Sequence, residues 1–302
     1  MEHHHHHHEA PPLPSLNRAF VIGITLNLLY VIIEFGAGFL YNSLSLISDA
    51  GHNLSDVAAL ALSLLAFRLV KVKANDKFTY GYRKSTILVS LVNSVVLFVV
   101  IGGIISESIA RLHHTVVVQG MPVSVVAAIG IVINAVSALL FFRNKEHDLN
   151  VKGAYLHLMS DAVVSLGVVI SGVLMAIFHV YWLDMVMSLI IVVVIFYSTW
   201  NLFRDSLSLT LDGVPKGVDM KSVIETIKNV DGVKDVHHVH VWAMSTTQNA
   251  LTAHVVIFCN TTLEQQAALK HVIKEKLESV HVHHATLEFE TQEEKCKDMN
   301  KV

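Results

Sequence analysis

Two apolar stretches of the chain each carry a histidine and an aspartate four residues apart. The first pair is His52 and Asp56, and the second is His157 and Asp161. Residues four apart lie on the same face of an α-helix, so each pair can direct an imidazole and a carboxylate at one point. Two such helices side by side supply four ligands, and imidazole and carboxylate ligands in fourfold coordination suit zinc. The spacing therefore predicts a zinc site built by two helices.

The residues around both pairs are apolar enough to lie in a bilayer. The chain has 302 residues, of which 53% are hydrophobic and only 16% are charged. An ionisable side chain within hydrocarbon costs roughly 3 kcal/mol or more, so such residues usually mark an ion path. A histidine in a soluble core is often no more than hydrogen-bonded, but two repeated pairs in apolar segments favour a transport site.

Six apolar stretches have the length needed to cross a bilayer. They are residues 19–41, 44–67, 85–110, 120–142, 154–178 and 181–202. Lysines and arginines gather on alternate connections, as at Arg68, Lys84 and Lys152. The positive-inside rule places those connections, and with them both termini, in the cytoplasm. We therefore expect a membrane all-α six-helix bundle in residues 19–205.

The second and fifth stretches resemble each other. GHNLSDVAAL at 51–60 is echoed by YLHLMSDAVV at 155–164. In the predicted topology these two helices run in opposite directions, so the echo indicates an inverted repeat of three plus three helices. A polar site between inverted repeats is typical of transporters that work by alternating access.

Two more carboxylates, Glu34 and Asp49, occur in the first and second stretches. No partner for Glu34 is evident from the spacing, so we expect it to make a structural contact with a neighbouring helix. Asp49 precedes His52 by about one turn, near the start of the helix, where the helix dipole favours a carboxylate. We expect this helix-end role for Asp49, with membership of an acidic funnel as the alternative.

The composition changes after Asp205. Residues 206–212 are a predicted linker, and residues 213–292 alternate between helix and strand patterns in the order α-β-β-α-β. This order predicts a cytoplasmic α+β ferredoxin-like C-terminal domain, followed by a tail at 293–302. The N-terminal tail at 1–18 is rich in histidine. Its six histidines are either a purification tag or a native metal-collecting segment.

Strand alternation in the C-terminal domain separates a core face from an open face. The predicted core positions are Val239, Val241, Ala253, Val255, Ile257, Leu287 and Phe289. The predicted open face carries His238, His240, His254, Glu288 and Glu290, together with Trp242. Imidazoles and carboxylates on one face predict a second zinc site that is completed or covered by a partner subunit, and a solvated sheet face is the alternative.

Five segments of the sequence resemble the cation diffusion facilitator family, and together they cover nearly the whole chain. They are SLSLISDAGHNLSD, FTYGYRK, LNVKGAYLHLMSD, the DGVP linker and GVKDVHHVHVWAMS. The resemblance implies a homodimeric transporter with six spans that exchanges a metal ion for protons. The family's transport ligands fall on His52, Asp56, His157 and Asp161, a pattern of zinc-preferring members. Its cytoplasmic ligands fall on His240 and His254, and more loosely on Glu288 and Glu290.

The chain departs from many relatives in its loops. The connection between the fourth and fifth helices is short and contains one histidine, His147. The connection between the second and third helices contains no histidine. The extra loop site of some bacterial members is therefore not expected. The short length and simple loops are typical of a bacterial protein, which places it in the inner membrane.

These observations predict a zinc/proton antiporter that exports Zn2+ from the cytoplasm. Zinc, two aspartates and two neutral histidines sum to zero charge, so protons should replace the metal when it leaves. The same transporter with cadmium, cobalt or another divalent metal as its main cargo is an alternative. A remote alternative is an intramembrane zinc enzyme, although no HExxH motif is present and four ligands would leave no open position on the metal.

Charge and cysteine content exclude other classes of protein. The net charge of −3 argues against nucleic acid as a partner. The two cysteines cannot form a disulfide framework. The expected partners are zinc, protons, the lipid bilayer and a second copy of the chain.

Overall fold

The computed structural model describes residues 14–70, 72–113, 116–142 and 149–291. Six long helices are followed by a small layer of two helices and three strands. The long helices are α1 (Pro14–Leu40), α2 (Leu44–Val70), α3 (Ser85–His113), α4 (Gly120–Phe142), α5 (Leu149–Phe178) and α6 (Trp182–Thr210). The layer consists of α7 (Met220–Lys228), β1 (Val233–Ala243), β2 (Asn249–Ile257), α8 (Leu263–Glu278) and β3 (His284–Thr291). The predicted order α-β-β-α-β is confirmed.

Four of the long helices are apolar and long enough to cross a membrane, judged over the part of the chain that the structure describes. They are Ser85–Leu112, Gly120–Leu139, Leu158–Phe178 and Trp182–Thr210. The apolar segment found in α1, Thr25–Leu40, is shorter than these four. α2 spans 27 residues but carries the polar residues of the first His-Asp pair. The structure thus supports a membrane protein with several spans.

α6 extends beyond its predicted end, so the predicted linker is wrong in part. The helix continues to Thr210, and residues 206–210 of the expected 206–212 linker are helical. The apolar run marks the thickness of the bilayer, whereas the helix itself ends where the backbone reverses. That reversal occurs at Asp212, with a φ of 58°, and Gly213 donates its N–H to the Ser208 carbonyl at 2.8 Å.

The described chain divides into two compact units, each of which combines segments that are distant in the sequence. One unit consists of the residues up to Leu60 together with Val96–Thr199. The other combines Ala61–Val95 with the residues from Trp200 onward. Within this second unit, Arg83 donates to Gln248 at 2.6 Å and Lys84 to Asp212 at 2.6 Å. The loop before α3 is therefore held by residues that follow α6 in the sequence.

The three strands form one sheet with β2 in the centre. β1 pairs antiparallel with β2, and β3 pairs parallel with β2. The predicted core residues Val241, Ala253, Val255, Ile257 and Leu287 are buried, and Val239 and Phe289 pack against the same core. The predicted capping box of Thr262 and Gln265 begins α8. The core face of the sheet is therefore the one that alternation predicted.

A pair of glycines brings α4 and α5 into close contact. A Cβ atom on Gly172 would lie 2.8 Å from the Gly120 carbonyl oxygen, and one on Gly120 would lie 2.7 Å from the Ala176 nitrogen. The Ser124 hydroxyl bridges the two helices by donating to the Val169 carbonyl at 3.0 Å. Small residues at these positions allow the two backbones to approach closely, as is common between membrane helices.

The N-terminus of α2 is capped by an aspartate from another helix. Asp184, near the start of α6, is 1% exposed and accepts hydrogen bonds from the Ser43 hydroxyl at 2.7 Å and the Leu44 N–H at 2.5 Å. The hydroxyl and the N–H of Ser45 donate to the same carboxylate. Arg111 of α3 lies 3.7 Å from it. One carboxylate thus satisfies the N–H groups of Leu44 and Ser45 at the start of α2 and complements the helix dipole.

Replacing Gly172 by alanine should destabilise the helical unit. The added methyl group would push α5 away from α4, and overpacking of this kind costs about 1–3 kcal/mol. The measurement is the melting temperature of the purified protein in detergent. Gly102→Ala on α3 is the matched control, because nothing lies within 4 Å of its Cβ position. Equal melting temperatures for the two variants would contradict the close contact.

Asp184→Asn should also lower the melting temperature, because an amide accepts fewer and weaker hydrogen bonds than a carboxylate. Losing charge-assisted bonds to the α2 terminus costs about 2 kcal/mol. Glu107→Gln is the control, since Glu107 also pairs with Arg111 but its side chain is 52% exposed. Exposed ion pairs contribute about 1 kcal/mol or less. A larger effect of the Glu107 substitution would show that the arginine pair, and not the helix cap, matters.

Candidate metal sites

The first and the fourth of the predicted helix ligands meet in the structure. His52 Nε2 on α2 lies 3.5 Å from Asp161 Oδ1 on α5, and their side chains are 16% and 7% exposed. An imidazole and a carboxylate from two different helices therefore face the same point. Both groups are types that a zinc ion accepts.

A second contact fixes the direction of α5 relative to α2. The Ser165 hydroxyl donates to Asp49 Oδ2 at 3.2 Å. Asp49 lies one turn before His52, whereas Ser165 lies one turn after Asp161, so the two helices run in opposite directions here. One turn further along α2 comes Asp56, and one turn back along α5 comes His157. Both positions are helical, but their side chains lie outside the part of the structure that is described.

The helix-end role expected for Asp49 is wrong. Asp49 lies in the second turn of α2 and is fully buried, while the N-terminus of that helix is capped by Asp184. The position of Asp49 near the start of the apolar run suggested a helix end. The N–H groups at the start of α2, however, donate to Asp184 of α6. Asp49 instead lies in the bundle beside the His-Asp contact.

The expected structural contact of Glu34 is present, and it involves several groups. Glu34 on α1 is fully buried and accepts the Tyr30 hydroxyl at 2.8 Å and the Asn53 amide at 3.3 Å. Tyr30 lies against α4, where a Cβ atom on Gly130 would be 2.6 Å from the tyrosine Cζ. Three helices therefore meet around this carboxyl group.

A second group of metal-binding side chains lies on the sheet. His237 of β1, His254 of β2 and Glu290 of β3 have ligand atoms within 4.8 Å of one another. Glu290 Oε1 is 2.5 Å from His254 Nδ1, and Glu290 Oε2 is 3.2 Å from His237 Nε2. Two imidazoles and one carboxylate on neighbouring strands form three of the four ligands that a zinc ion usually takes.

His237 replaces His238 and His240 in this group because of an irregularity in β1. The pairing of β1 with β2 shifts between His237 and His240, and His238 has a φ of 48°. An extra residue in the strand changes which side chains share a face. Regular alternation excluded His237, but the bulge sets it directly opposite His254. The doublet of adjacent histidines was the only sign of it in the sequence.

The other predicted residues lie around the group of three. The His238 ring centroid is 5.2 Å from that of His254 and 6.3 Å from that of His240. Glu288 Oε2 lies 3.6 Å from His254 Nε2, and its side chain is 69% exposed. Asp235 is also near, but the Lys228 ammonium lowers the pKa of that carboxyl and pairs with it at 2.7 Å. Asp235 is therefore engaged by a lysine.

Two family models match the chain and together cover most of it. The model of the cation efflux transmembrane domain matches residues 20–210. The model of the cytoplasmic domain of cation efflux proteins matches residues 215–292. The first match includes the His-Asp contact between α2 and α5, and the second includes the histidine and glutamate group on the sheet.

Several bacterial proteins are similar over most of their length. A cadmium, cobalt and zinc/H(+)-K(+) antiporter of Bacillus subtilis is 34% identical, with 87% of this chain and 85% of that protein covered. The metal cation efflux system protein CzcD of Cupriavidus metallidurans is 34% identical, with 91% and 86% covered. The zinc transporter ZitB of Escherichia coli is 31% identical, with 93% and 90% covered. The chain therefore belongs to the cation efflux family, whose members are membrane transporters and not enzymes.

Proposed function

We propose that this protein exports Zn2+ from the cytoplasm in exchange for protons, and that His52, Asp56, His157 and Asp161 bind the ion during transport. The observation that carries the proposal is the 3.5 Å approach of His52 to Asp161 between helices of opposite direction. The Asp49–Ser165 contact continues the same register on one side. If the same register continues in the other direction along the two helices, Asp56 lies opposite His157 and the set of four ligands is complete.

The charge of such a site explains why protons exchange with the metal. Two carboxylates and two neutral imidazoles balance the charge of Zn2+, so the loaded site is neutral within an apolar bundle. When the metal leaves, two negative charges remain unless protons bind to the same groups. Metal binding to imidazole and carboxylate ligands therefore displaces protons, and protons displace the metal. The names of the Bacillus relatives, which are antiporters for metals and H(+), agree with this exchange.

The topology belongs to the same proposal. All six long helices span the bilayer as two inverted repeats, both termini are cytoplasmic, and the protein lies in the inner membrane of a bacterium. The opposite directions of α2 and α5 support the inverted repeat. Alternating access would then move the two repeats around a site at their interface.

The choice of cargo rests on ligand chemistry. Imidazole ligands favour zinc over manganese and iron in the general order of metal affinities. Cadmium and cobalt remain the alternative cargoes, because the Bacillus relative carries both metals in its name. The ZitB relatives, named as zinc transporters, support zinc as the main cargo.

The group on the sheet has a different role in this proposal. We infer that His237, His254 and Glu290 bind a zinc ion that is retained, with a fourth ligand from the neighbouring side chains or from water. Such an ion would link the three strands and regulate the transporter. The cytoplasmic domain would also hold two copies of the chain together as a homodimer.

Asp161→Asn should reduce proton-driven zinc uptake into proteoliposomes by roughly tenfold or more, because the site loses a charged ligand. Zinc, cadmium, cobalt and manganese are compared across the same pH step. The control is Asp205→Asn, which makes the same substitution where the carboxylate pairs with Lys216 at 2.6 Å on the surface. A zinc flux that does not depend on the pH gradient would contradict proton exchange. A larger flux of cadmium or cobalt than of zinc would identify another cargo.

Glu290→Gln should weaken zinc binding at the sheet roughly tenfold or more, because the carboxylate between the two imidazoles is lost. Zinc affinity is measured by competition with a chromophoric chelator, on the full chain and in an Asp161→Asn background. The N-terminal histidines are present in every variant and cancel in the comparison. Glu288→Gln is the matched control, and it should have a smaller effect. The opposite ranking would contradict a site in which Glu290 lies between the two imidazoles.

A further inference from the structure

Two buried carboxyl groups lie beside each other without belonging to the proposed metal ligands. Glu34 of α1 and Asp49 of α2 are both 0% exposed. Asn53, whose amide donates to Glu34, lies one turn from Asp49 on the same face of α2, so the two carboxyl groups lie close together. Two ionised carboxylates repel each other at this distance, and burial in an apolar bundle strengthens the repulsion.

Both oxygens of Glu34 already have donors. The Tyr30 hydroxyl donates to Oε1 at 2.8 Å, and the Asn53 amide donates to Oε2 at 3.3 Å. Tyr30 is held in position because its ring fills the space above Gly130 of α4. Glu34 is therefore fixed in a polar site, although none of these donors carries a full positive charge.

Asp49 has a donor on only one oxygen. Ser165 donates to Oδ2, while Oδ1 is buried and receives no conventional hydrogen bond from the residues that the structure describes. Within the same residues, the ion pairs of lysine and arginine involve other acids and neither Glu34 nor Asp49. A buried carboxylate oxygen without a donor costs free energy, and a proton on the neighbouring carboxyl would supply that donor.

The other titratable groups that face the pair are Tyr30 from α1, His52 from α2 and Asp161 from α5. Of these only His52 is a base, and its Nε2 faces Asp161. A single imidazole cannot balance the charge of Asp161 and of both carboxylates of the pair. One proton shared between the two carboxyls removes the repulsion and forms a short, charge-assisted O–H···O bond.

We infer that Glu34 and Asp49 together bind one proton and form a proton site separate from the metal ligands. The pair touches both helices that carry the metal ligands. Asp49 is bonded to Ser165, one turn from Asp161, and Glu34 is bonded to Asn53, the neighbour of His52. A role of this site in the transport cycle rests on the proposed zinc/proton exchange. The bound proton itself does not, because it follows from the local charges.

The test is the infrared spectrum of the purified, metal-free protein in H2O and in D2O. A neutral carboxylic acid has a C=O band that is distinct from carboxylate bands and that shifts in D2O. We expect this band in the native protein and a loss of intensity in both Glu34→Gln and Asp49→Asn. In either variant, the new amide donates to the remaining carboxylate, so no proton is needed. Glu107→Gln, which removes an exposed carboxyl from α3, should leave the band unchanged.

Two outcomes would overturn the inference. An acid band that is absent from the native protein, or whose intensity is the same in both variants as in the native protein, would show that the pair does not share a proton. A band that appears only when Na+ and K+ are replaced by choline would show that the pair binds a monovalent cation instead. Using two variants guards against misfolding of either one. Since no zinc flux is measured, failure of the proposed transport activity would leave this result unaffected.

Discussion

A charged group inside an apolar bundle must find a partner, and this constraint explains most of the polar contacts between the long helices. Asp161 faces an imidazole, Asp184 accepts two N–H groups at the start of α2, and Glu34 accepts a tyrosine hydroxyl and an asparagine amide. The energetic cost of leaving any of these carboxylates unpaired is several kcal/mol. Each acid therefore specifies which helices must be neighbours. The apolar surface drives burial but does not choose among the many ways of packing six similar helices.

α2 is the helix on which these pairings converge. Its first turn is held by Asp184 of α6, its second turn carries Asp49, and the next carries His52. Because side chains one turn apart share a face, a shift of the first turn would displace His52, the proposed ligand, as well. The cap and the ligand are thus parts of one mechanical element. The position of His52 depends on a carboxylate that does not touch the metal site.

The long helices and the candidate ligands between them could be predicted from the sequence, because both follow from local patterns. Hydrophobic runs define the long helices, and a spacing of four residues defines a shared face. The order of elements in the C-terminal domain and the capping box of α8 were predicted for the same reason. The end of α6 was missed because polar residues outside the bilayer can continue a helix until the backbone reverses.

Pairings between distant segments were not predictable in this way. The partners of Asp49 and Asp184 lie in other helices, and nothing in their own neighbourhood identifies them. His237 was missed as a candidate ligand because alternation assumes a regular strand, whereas β1 contains a bulge at the histidine doublet. One extra residue reverses the face of the residues just before it, Val236 and His237. Local rules therefore identified the types of ligand on the sheet but not the complete set.

The two proposed metal sites use similar ligands, but one lies between helices and the other on a more rigid sheet. This difference in rigidity suits the release of an ion at the first site and its retention at the second. His52 and Asp161 lie on two helices joined by side-chain contacts, so their separation changes when the helices move. His237, His254 and Glu290 lie on three strands whose spacing is fixed by the backbone hydrogen bonds of the sheet. An ion that must be released needs ligands that can separate, whereas an ion that is retained needs ligands that cannot. The same imidazole and carboxylate chemistry can therefore carry a cargo between helices and hold a permanent ion on a sheet.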